Sequence, residues 1–204
     1  MNPLWWLLIP AAYLLGSVSF AWIAGRLKGI DLRAHGSGNL GATNAGRVLG
    51  WHWFVVVFTL DIAKGFAPVY IACRSEDHWL PIFVAAAAVL GHVFTCLHGF
   101  KGGKAVATSL GVLIGIAPQT AGLIFVIWFS VWLIGWLAFR LGKSGAVGPA
   151  SMIAALIVVP IYLWLGTSNA PTLGFLSLLS ALVLWRHRSN FQKLFAAQKT
   201  ESTT

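Results

Sequence analysis

Acidic residues are scarce in this chain: five Asp and Glu among 204 residues, against fourteen Lys and Arg. Charged residues of either sign make up 9% of it, where a soluble domain carries about 25%. So few ionised side chains cannot cover a water-facing surface, which excludes an ordinary soluble fold. Cysteine is almost absent, and Cys73 and Cys96 support neither a disulfide framework nor a thiolate metal site. The acids are Asp31, Asp61, Glu76, Asp77 and Glu201. Glu76 and Asp77 are adjacent but lie beside Arg74, away from the other basic loops, and no two acids form a convincing metal pair on the basic side, so neither a metal nor a cofactor is expected. Internal repeats are also missing, which weakens an inverted-repeat transporter reading.

What fills the chain is apolar. Hydrophobic residues reach 58%, mean hydropathy is +0.79 and there are eleven Trp. These values describe a polytopic integral membrane protein. The net charge of +9 does not point to nucleic acid, because the basic residues sit in short loops between apolar runs. No basic segment precedes the first run, so it is expected to persist as a helix instead of being cleaved as a signal peptide.

Charges and helix breakers divide the chain into seven expected helices, about 4–25, 51–73, 79–97, 105–117, 120–139, 148–166 and 171–185, in a single all-α membrane domain. Between the fourth and fifth, Ala117-Pro118-Gln119-Thr120 offers a turn. Of the Lys and Arg, all but Arg74 and Lys64 fall in loops on one side. The positive-inside rule then puts the N-terminus outside and the C-terminus in the cytoplasm. Trp5, Trp6, Trp51, Trp53 and Trp185 lie near span ends and read as interfacial anchors.

Three polar segments share the basic side. Gly36-Ser37-Gly38-Asn39-Leu40-Gly41-Ala42-Thr43-Asn44, flanked by Arg33 and Arg47, offers many backbone N–H groups and little bulk, the makings of a phosphate cradle. Gly99-Phe100-Lys101-Gly102-Gly103-Lys104 pairs two ammoniums around a Gly-Gly backbone open to close approach. Lys104 also stands near a helix start, where the dipole favours anions. In Arg186-His187-Arg188-Ser189-Asn190, continued helix would put His187 and Asn190 on one face. A single such segment is usually only a topology signal or a lipid headgroup contact; three together suggest a site.

These residues carry a resemblance. The first segment with Gly29-Ile30-Asp31-Leu32-Arg33, the stretch from Gly91-His92-Val93-Phe94 to Lys104-Ala105-Val106-Ala107-Thr108, and the Arg186–Asn190 segment resemble, in order, the motifs of the bacterial acyl-phosphate:glycerol-3-phosphate acyltransferases, the PlsY family. Asp61-Ile62-Ala63-Lys64-Gly65 is similar to a further family pattern, and Thr95 stands where the family commonly has proline. The resemblance implies seven membrane helices with a cytoplasmic-face site in the bacterial inner membrane. It implies transfer of an acyl group from acyl phosphate to glycerol 3-phosphate, giving lysophosphatidic acid and phosphate. An acyl phosphate is a mixed anhydride, already activated, so neither a covalent nucleophile nor a metal is required.

Carried over residue by residue, the resemblance assigns Lys104 and Arg47 to substrate phosphate, and His187 and Asn190 to glycerol 3-phosphate. Ser37, Asn39, Thr43 and Ser151 supply hydroxyl or amide contacts, with Ser37 nearest the reacting carbonyl. Gly36, Gly38, Lys101, Gly102 and Gly103 complete the substrate-binding set. Ser37, Lys104 and His187 are the catalytic candidates. The proton acceptor stays open among Ser37, His187 and a substrate phosphate oxygen. Expected partners are the two substrates and membrane lipid, with no nucleic acid, a monomeric state and coupling to an enzyme that makes acyl phosphate. Asp61 and Lys64 read either as a structural pair or with Lys64 in the site, His92 as a hydrogen-bonded span residue and Cys96 as a small packed side chain. The competing function is a transporter of phosphorylated solutes, which would need ionisable residues along a midplane path.

Overall fold

The protein is described by a computed structural model covering residues 3–166 and 169–188; Asn190 lies outside the described residues. Those residues form only helices and loops. A 3₁₀ turn at Pro3–Leu7 leads into α1 (Leu8–Ser17) and α2 (Phe20–Leu27), followed by α3 (Ala42–Leu49), α4 (Trp51–Ala72) and α5 (Leu80–Val93). A second 3₁₀ turn at Cys96–His98 precedes α6 (Val106–Ile116), α7 (Pro118–Leu137), α8 (Lys143–Trp164) and α9 (Ala170–Arg186).

Among the described residues, five segments are long and apolar enough to cross a membrane: Pro3–Leu27, α4, Leu80–His98, α7 and α8. At 1.5 Å rise per residue, about 20 residues span the hydrocarbon core. α6 and α9 are apolar but shorter, at 11 and 17 residues. Large side chains such as Leu14, Val55, Val126, Leu156 and Leu178 remain exposed on the flanks, a surface suited to lipid. Small residues hold the helices together. On α1 and α5, Gly16 meets the Ala88 backbone and Gly91 meets the Tyr13 carbonyl. On α4 and α6, Gly65 meets the Thr108 carbonyl and Gly111 that of Ile62. Backbones this close gain dispersion where lipid leaves little hydrophobic drive.

The structure departs from the sequence-based expectation at several places. The first run is not one helix. Val18 (ψ 118°) and Ser19 (ψ 100°) are extended, and Ser19 Oγ caps α2 by accepting from Trp22 N–H at 3.2 Å. The break leaves the Val18 carbonyl without a helical donor, and Lys64 Nζ on α4 donates to it at 2.7 Å. The stretch after Gly41, expected as loop, forms α3, whose Ala42, Ala45 and Gly46 are buried. Its period is helical, but eight residues carrying Thr43, Asn44 and Arg47 make no apolar run. The turn expected over 117–120 shrinks to Ala117, with Pro118 starting α7 in the position where its missing N–H costs nothing. α8 starts at Lys143, ahead of the expected 148. There the Lys143 carbonyl accepts from Trp132 Nε1 at 2.9 Å, and the Lys143 ammonium lies 4.8 Å from the Trp136 ring.

An aromatic wall joins α4 to α7. Trp51 stacks on Phe54 at 4.3 Å and on Trp132 at 5.8 Å, and Phe58 stacks on Trp128 at 5.8 Å. Trp51 is therefore a packing residue within the bundle and not merely an interfacial anchor. Cys96 is also corrected: it is exposed, not packed.

Candidate active site

The Gly36–Asn44 segment is built around one buried side chain. Asn44 Oδ1 accepts from Ser37 N–H at 2.8 Å, and Nδ2 donates to the carbonyls of Leu32 at 3.0 Å and His35 at 3.1 Å. Gly36 (φ 63°) passes so close that a Cβ would strike Asn44 Oδ1. Gly38 N–H donates to the His35 carbonyl at 3.1 Å. The N–H groups of Ser37 and Gly38 are thus spent inside the loop, which corrects the reading of an open backbone cradle there. Upstream, Asp31 and Arg33 form an exposed ion pair at 2.8 Å. The hydrogen-bonded guanidinium pulls the Asp31 carboxyl down to about 2.

The second segment is held by backbone. Gly102 N–H donates to the Val93 carbonyl at 3.0 Å, and Gly103 N–H to the His92 carbonyl at 3.1 Å. A Cβ at Gly102 would strike the His92 carbonyl, and one at Gly103 would strike His92 Nε2. The glycines make room for His92, and their N–H groups do not face a ligand. This is the second correction to a substrate-facing backbone. Phe100 (φ 60°) and Ala105 (φ 61°) are non-glycine residues in the left-handed region, a strain held in place by surrounding structure. Ala105 caps α6 and sets Lys104 immediately before that helix.

The third segment begins at the end of α9. Arg186 Nη2 donates to the carbonyls of Gly102 at 2.9 Å and Gly103 at 3.1 Å. His187 is buried, and its Nδ1 lies 2.8 Å from the Val183 carbonyl. A carbonyl only accepts, so Nδ1 carries the proton and Nε2 is an acceptor. Burial, with Lys104 and Arg186 adding to it, pushes the His187 imidazole down to about 4, against the Val183 bond that raises it. His187 is therefore neutral at pH 7.

Two cavities meet among these residues. The larger, about 1020 Å³, is bounded by Arg33, Ser37, Gly38, Asn39, Lys101, Gly102, Lys104, Arg186 and Arg188 among others. The smaller, about 380 Å³, is bounded by Ser37, Asn39, Thr43, Arg47, Lys104, Ser151 and His187, with Asp61 and His92 also on its wall. Ser37, Asn39 and Lys104 belong to both. An apolar groove between α4, α6, α7, α8 and α9 shares Phe58, Val106, Trp128 and Ser151 with the smaller cavity. Ser151 Oγ donates to the Val147 carbonyl at 2.7 Å and accepts from Trp128 Nε1 at 3.1 Å, so it faces the junction already oriented. Of the expected site residues, Gly36 and Gly103 bound neither cavity and serve the loop backbones instead. Asn190 lies outside the described residues.

Asp61 and Lys64 form a buried pair at 2.8 Å, which ties α4 to the α1–α2 break. His92 Nδ1 stands 3.8 Å from Asp61 Oδ1. His98, on the rim of the larger cavity, packs against Trp22 with ring centroids 5.1 Å apart. Sequence reasoning assigned no role to Asn44 or Arg186, and gave His92 no connection to the glycine pair. Asn44 carried one signal, an amide at the third residue of α3, Ala42–Leu49. The tie from Arg186 to Gly102, 84 positions apart, leaves no local trace.

Comparison with known proteins agrees with this arrangement. The sequence model of the family described as glycerol-3-phosphate acyltransferase matches residues 6–197. A glycerol-3-phosphate acyltransferase of Aquifex aeolicus is 40% identical over 194 residues, covering 94% of this chain and 96% of the relative. That of Halalkalibacterium halodurans is 40% identical over 202 residues, covering 96% and 94%. A crystal structure of PlsY, an integral membrane glycerol 3-phosphate acyltransferase, in its glycerol 3-phosphate form superposes with a TM-score of 0.84. It is 39% identical, with 94% of this chain and 92% of that chain covered. The lysophosphatidic acid form gives 0.80 at 37% identity, covering 94% and 91%. An all-helical integral membrane fold, converging basic and glycine-rich segments, and a match along nearly the whole length place this chain in the glycerol-3-phosphate acyltransferase family.

Proposed function

We propose that the protein transfers an acyl group from an acyl phosphate to glycerol 3-phosphate at the cytoplasmic face of a bacterial inner membrane. The observation that carries this reading is the junction of two basic cavities at Ser37, Asn39 and Lys104, with an apolar groove leading away from the smaller one. Two phosphorylated substrates need two anion-holding spaces that share a boundary, and one of them needs room for a hydrocarbon chain. Phe58, Leu110, Leu113 and Val158 bound the groove, so the acyl chain lies there with its carbonyl brought up beneath Ser37. In the proposed topology the apolar segments cross the membrane seven times, with α6 and α9 as the short crossings. The N-terminus is outside and the C-terminus cytoplasmic, which puts the basic loops beside the larger cavity inside the cell.

The glycerol hydroxyl oxygen attacks the acyl carbonyl carbon. The bond from that carbon to the phosphate oxygen breaks, and inorganic phosphate leaves. Lys104 spans both cavities and, with Arg47 and Lys101, neutralises the charge of the two substrates and of the leaving group. Ser37, Asn39, Thr43 and Ser151 orient the substrates, and Asn190 adds a contact to glycerol 3-phosphate. Gly36, Gly38, Gly102 and Gly103 keep the loop backbones in place. His187 Nε2 accepts a hydrogen bond from the glycerol 3-phosphate hydroxyl that does not react. An imidazole held down at about 4 is a weak base at neutral pH. The departing phosphate oxygen, more basic than this imidazole, takes the proton. His187→Gln is accordingly expected to keep measurable turnover; complete loss with unchanged glycerol 3-phosphate affinity would make His187 the base.

The chain is proposed to act as a monomer that receives acyl phosphate from the enzyme making it. Purified protein given acyl phosphate and glycerol 3-phosphate is expected to release phosphate in the presence of a chelator. Absence of release, or activity confined to an acyl-carrier thioester, overturns the proposal. A transporter reading has less support, because Asp61 and Lys64 are tied to each other and to Val18.

A further inference from the structure

The backbone of Gly102 and Gly103 has every polar group engaged from one of two directions. From α5, the carbonyls of Val93 and His92 take both N–H groups, and the His92 ring lies against Gly103 where a side chain would otherwise sit. From α9, one guanidinium nitrogen of Arg186 takes both carbonyls, at 2.9 and 3.1 Å. Arg186 Nε is buried and without a hydrogen-bond partner among the described residues. The two glycine carbonyls are therefore the hydrogen-bond anchors of its guanidinium, which also lies 5.7 Å from the Trp185 ring centroid. Lys104 follows directly, and Ala105 after it is fixed in the left-handed region at the start of α6. No free torsion of loop backbone separates this doubly held peptide from the Lys104 Cα.

We infer that His92 and Arg186 are positioning residues that grip the Gly102–Gly103 peptide from opposite sides and thereby aim Lys104 at the junction of the two cavities. The inference rests on the acyltransfer reading above for the work Lys104 does. It also links the second and third sequence motifs mechanically: the residue preceding His187 holds the backbone that presents Lys104. His187 and Lys104, which bound the same cavity, are thus registered to each other through Arg186. Arg186 also bounds the larger cavity, so a direct phosphate contact is the rival role. The two roles differ in kinetics. A misaimed Lys104 lowers kcat and raises KM for both substrates together, whereas a lost phosphate ligand raises KM for one.

The test uses the full-length protein in detergent, with His92→Gln, Arg186→Ala and Arg186→Lys measured beside wild type. Wild-type turnover of acyl phosphate and glycerol 3-phosphate comes first; its absence counts against the proposed function and leaves the grip unaddressed by these kinetics, so the same variants are also read by amine-reactive labelling of Lys104. With wild type active, His92→Gln and Arg186→Ala are expected to share one signature. Each should show kcat lower by about a hundredfold, the scale of an ångström-size misplacement, with KM for the two substrates raised together and not for one alone. Millimolar guanidinium is expected to restore Arg186→Ala, since the ion can enter the cavity and bridge the carbonyls, while an equal concentration of sodium chloride does not. The Lys104 labelling rate should shift in both variants, whether or not turnover is measured. Should Arg186→Ala not fold, Arg186→Lys keeps the charge and is expected to show the same kcat loss. Wild-type kcat in a folded variant, a KM effect on one substrate alone, no guanidinium recovery or an unchanged labelling rate each overturns the grip.

Discussion

The two glycine-rich segments bounding the larger cavity are held in opposite ways. The Gly36–Asn44 loop hangs on a side chain: Asn44 makes three hydrogen bonds to the backbone of its own neighbourhood. The Gly102–Gly103 turn hangs on backbone, with α5 carbonyls on one side, and on a side chain from the far end of the chain on the other. The first is a local device, complete within about a dozen residues. The second is a long-range device that exists only once α5, α6 and α9 have packed. In each, two N–H groups are spent on shaping the loop, those of Ser37 and Gly38 in the first and of Gly102 and Gly103 in the second. Positive charge at the cavities comes from side chains such as Arg47, Lys101 and Lys104.

This contrast predicts a graded response. Gly103→Ala gives the largest effect, because its Cβ would strike the His92 ring and either the ring or the Lys104 turn must move. kcat/KM is expected to fall about a hundredfold or more, read in the phosphate-release assay. Wild-type kinetics would show that the turn tolerates displacement and that its backbone does not set the site. Asn44→Ala comes next. Three lost hydrogen bonds at about 1 kcal/mol each predict a clear drop in thermal stability in detergent. KM should rise for the substrate that Ser37 and Asn39 contact, and an unchanged melting temperature would mean the loop has a second support. Asp31→Asn gives the smallest effect. Asp31 and Arg33 are exposed, so their pairing adds little, and melting and turnover should match wild type. The carboxyl is held down to about 2, so whatever the pair contributes is present above its unfolded value near 4 and is lost only as pH falls toward 2. No loop transition between pH 7 and 5 is expected from it.

Thr95 illustrates how a departure from a family pattern is absorbed. Its φ of −60° is the value a proline ring imposes. Its hydroxyl then does what proline cannot: Oγ1 donates to the Ser17 carbonyl at 2.7 Å and accepts from Leu97 N–H at 3.2 Å. The bend between α5 and the Gly99–Lys104 segment is made by a threonine cap tied to α1.

The apolar, membrane-spanning character of the longer segments was legible because lipid demands about 20 consecutive apolar residues and tolerates few charges, a constraint each segment meets alone. That small polar and basic residues would gather around the cavities was legible for a related reason: in a chain this apolar they stand out, and their grouping on one side follows from loop charge. Harder to see were α3, whose eight residues have no apolar run, and the break at Val18–Ser19, where a capping serine interrupts an otherwise continuous hydrophobic stretch.

By itself, then, the amino-acid sequence determined a polytopic helical protein with basic, glycine-bearing segments gathered on one face and few acids to bind metal. These are additive properties, set by the transfer energetics of each segment. Tertiary structure alone decided what the glycines are for, that Asn44 and Arg186 shape the loops, that Lys64 closes the α1–α2 break, and that two cavities share Ser37, Asn39 and Lys104. Those outcomes rest on hydrogen bonds and close contacts between residues tens of positions apart. A hydrogen bond forms only within about 3 Å of its partner, and no local pattern of residues says which distant groups will be brought that close.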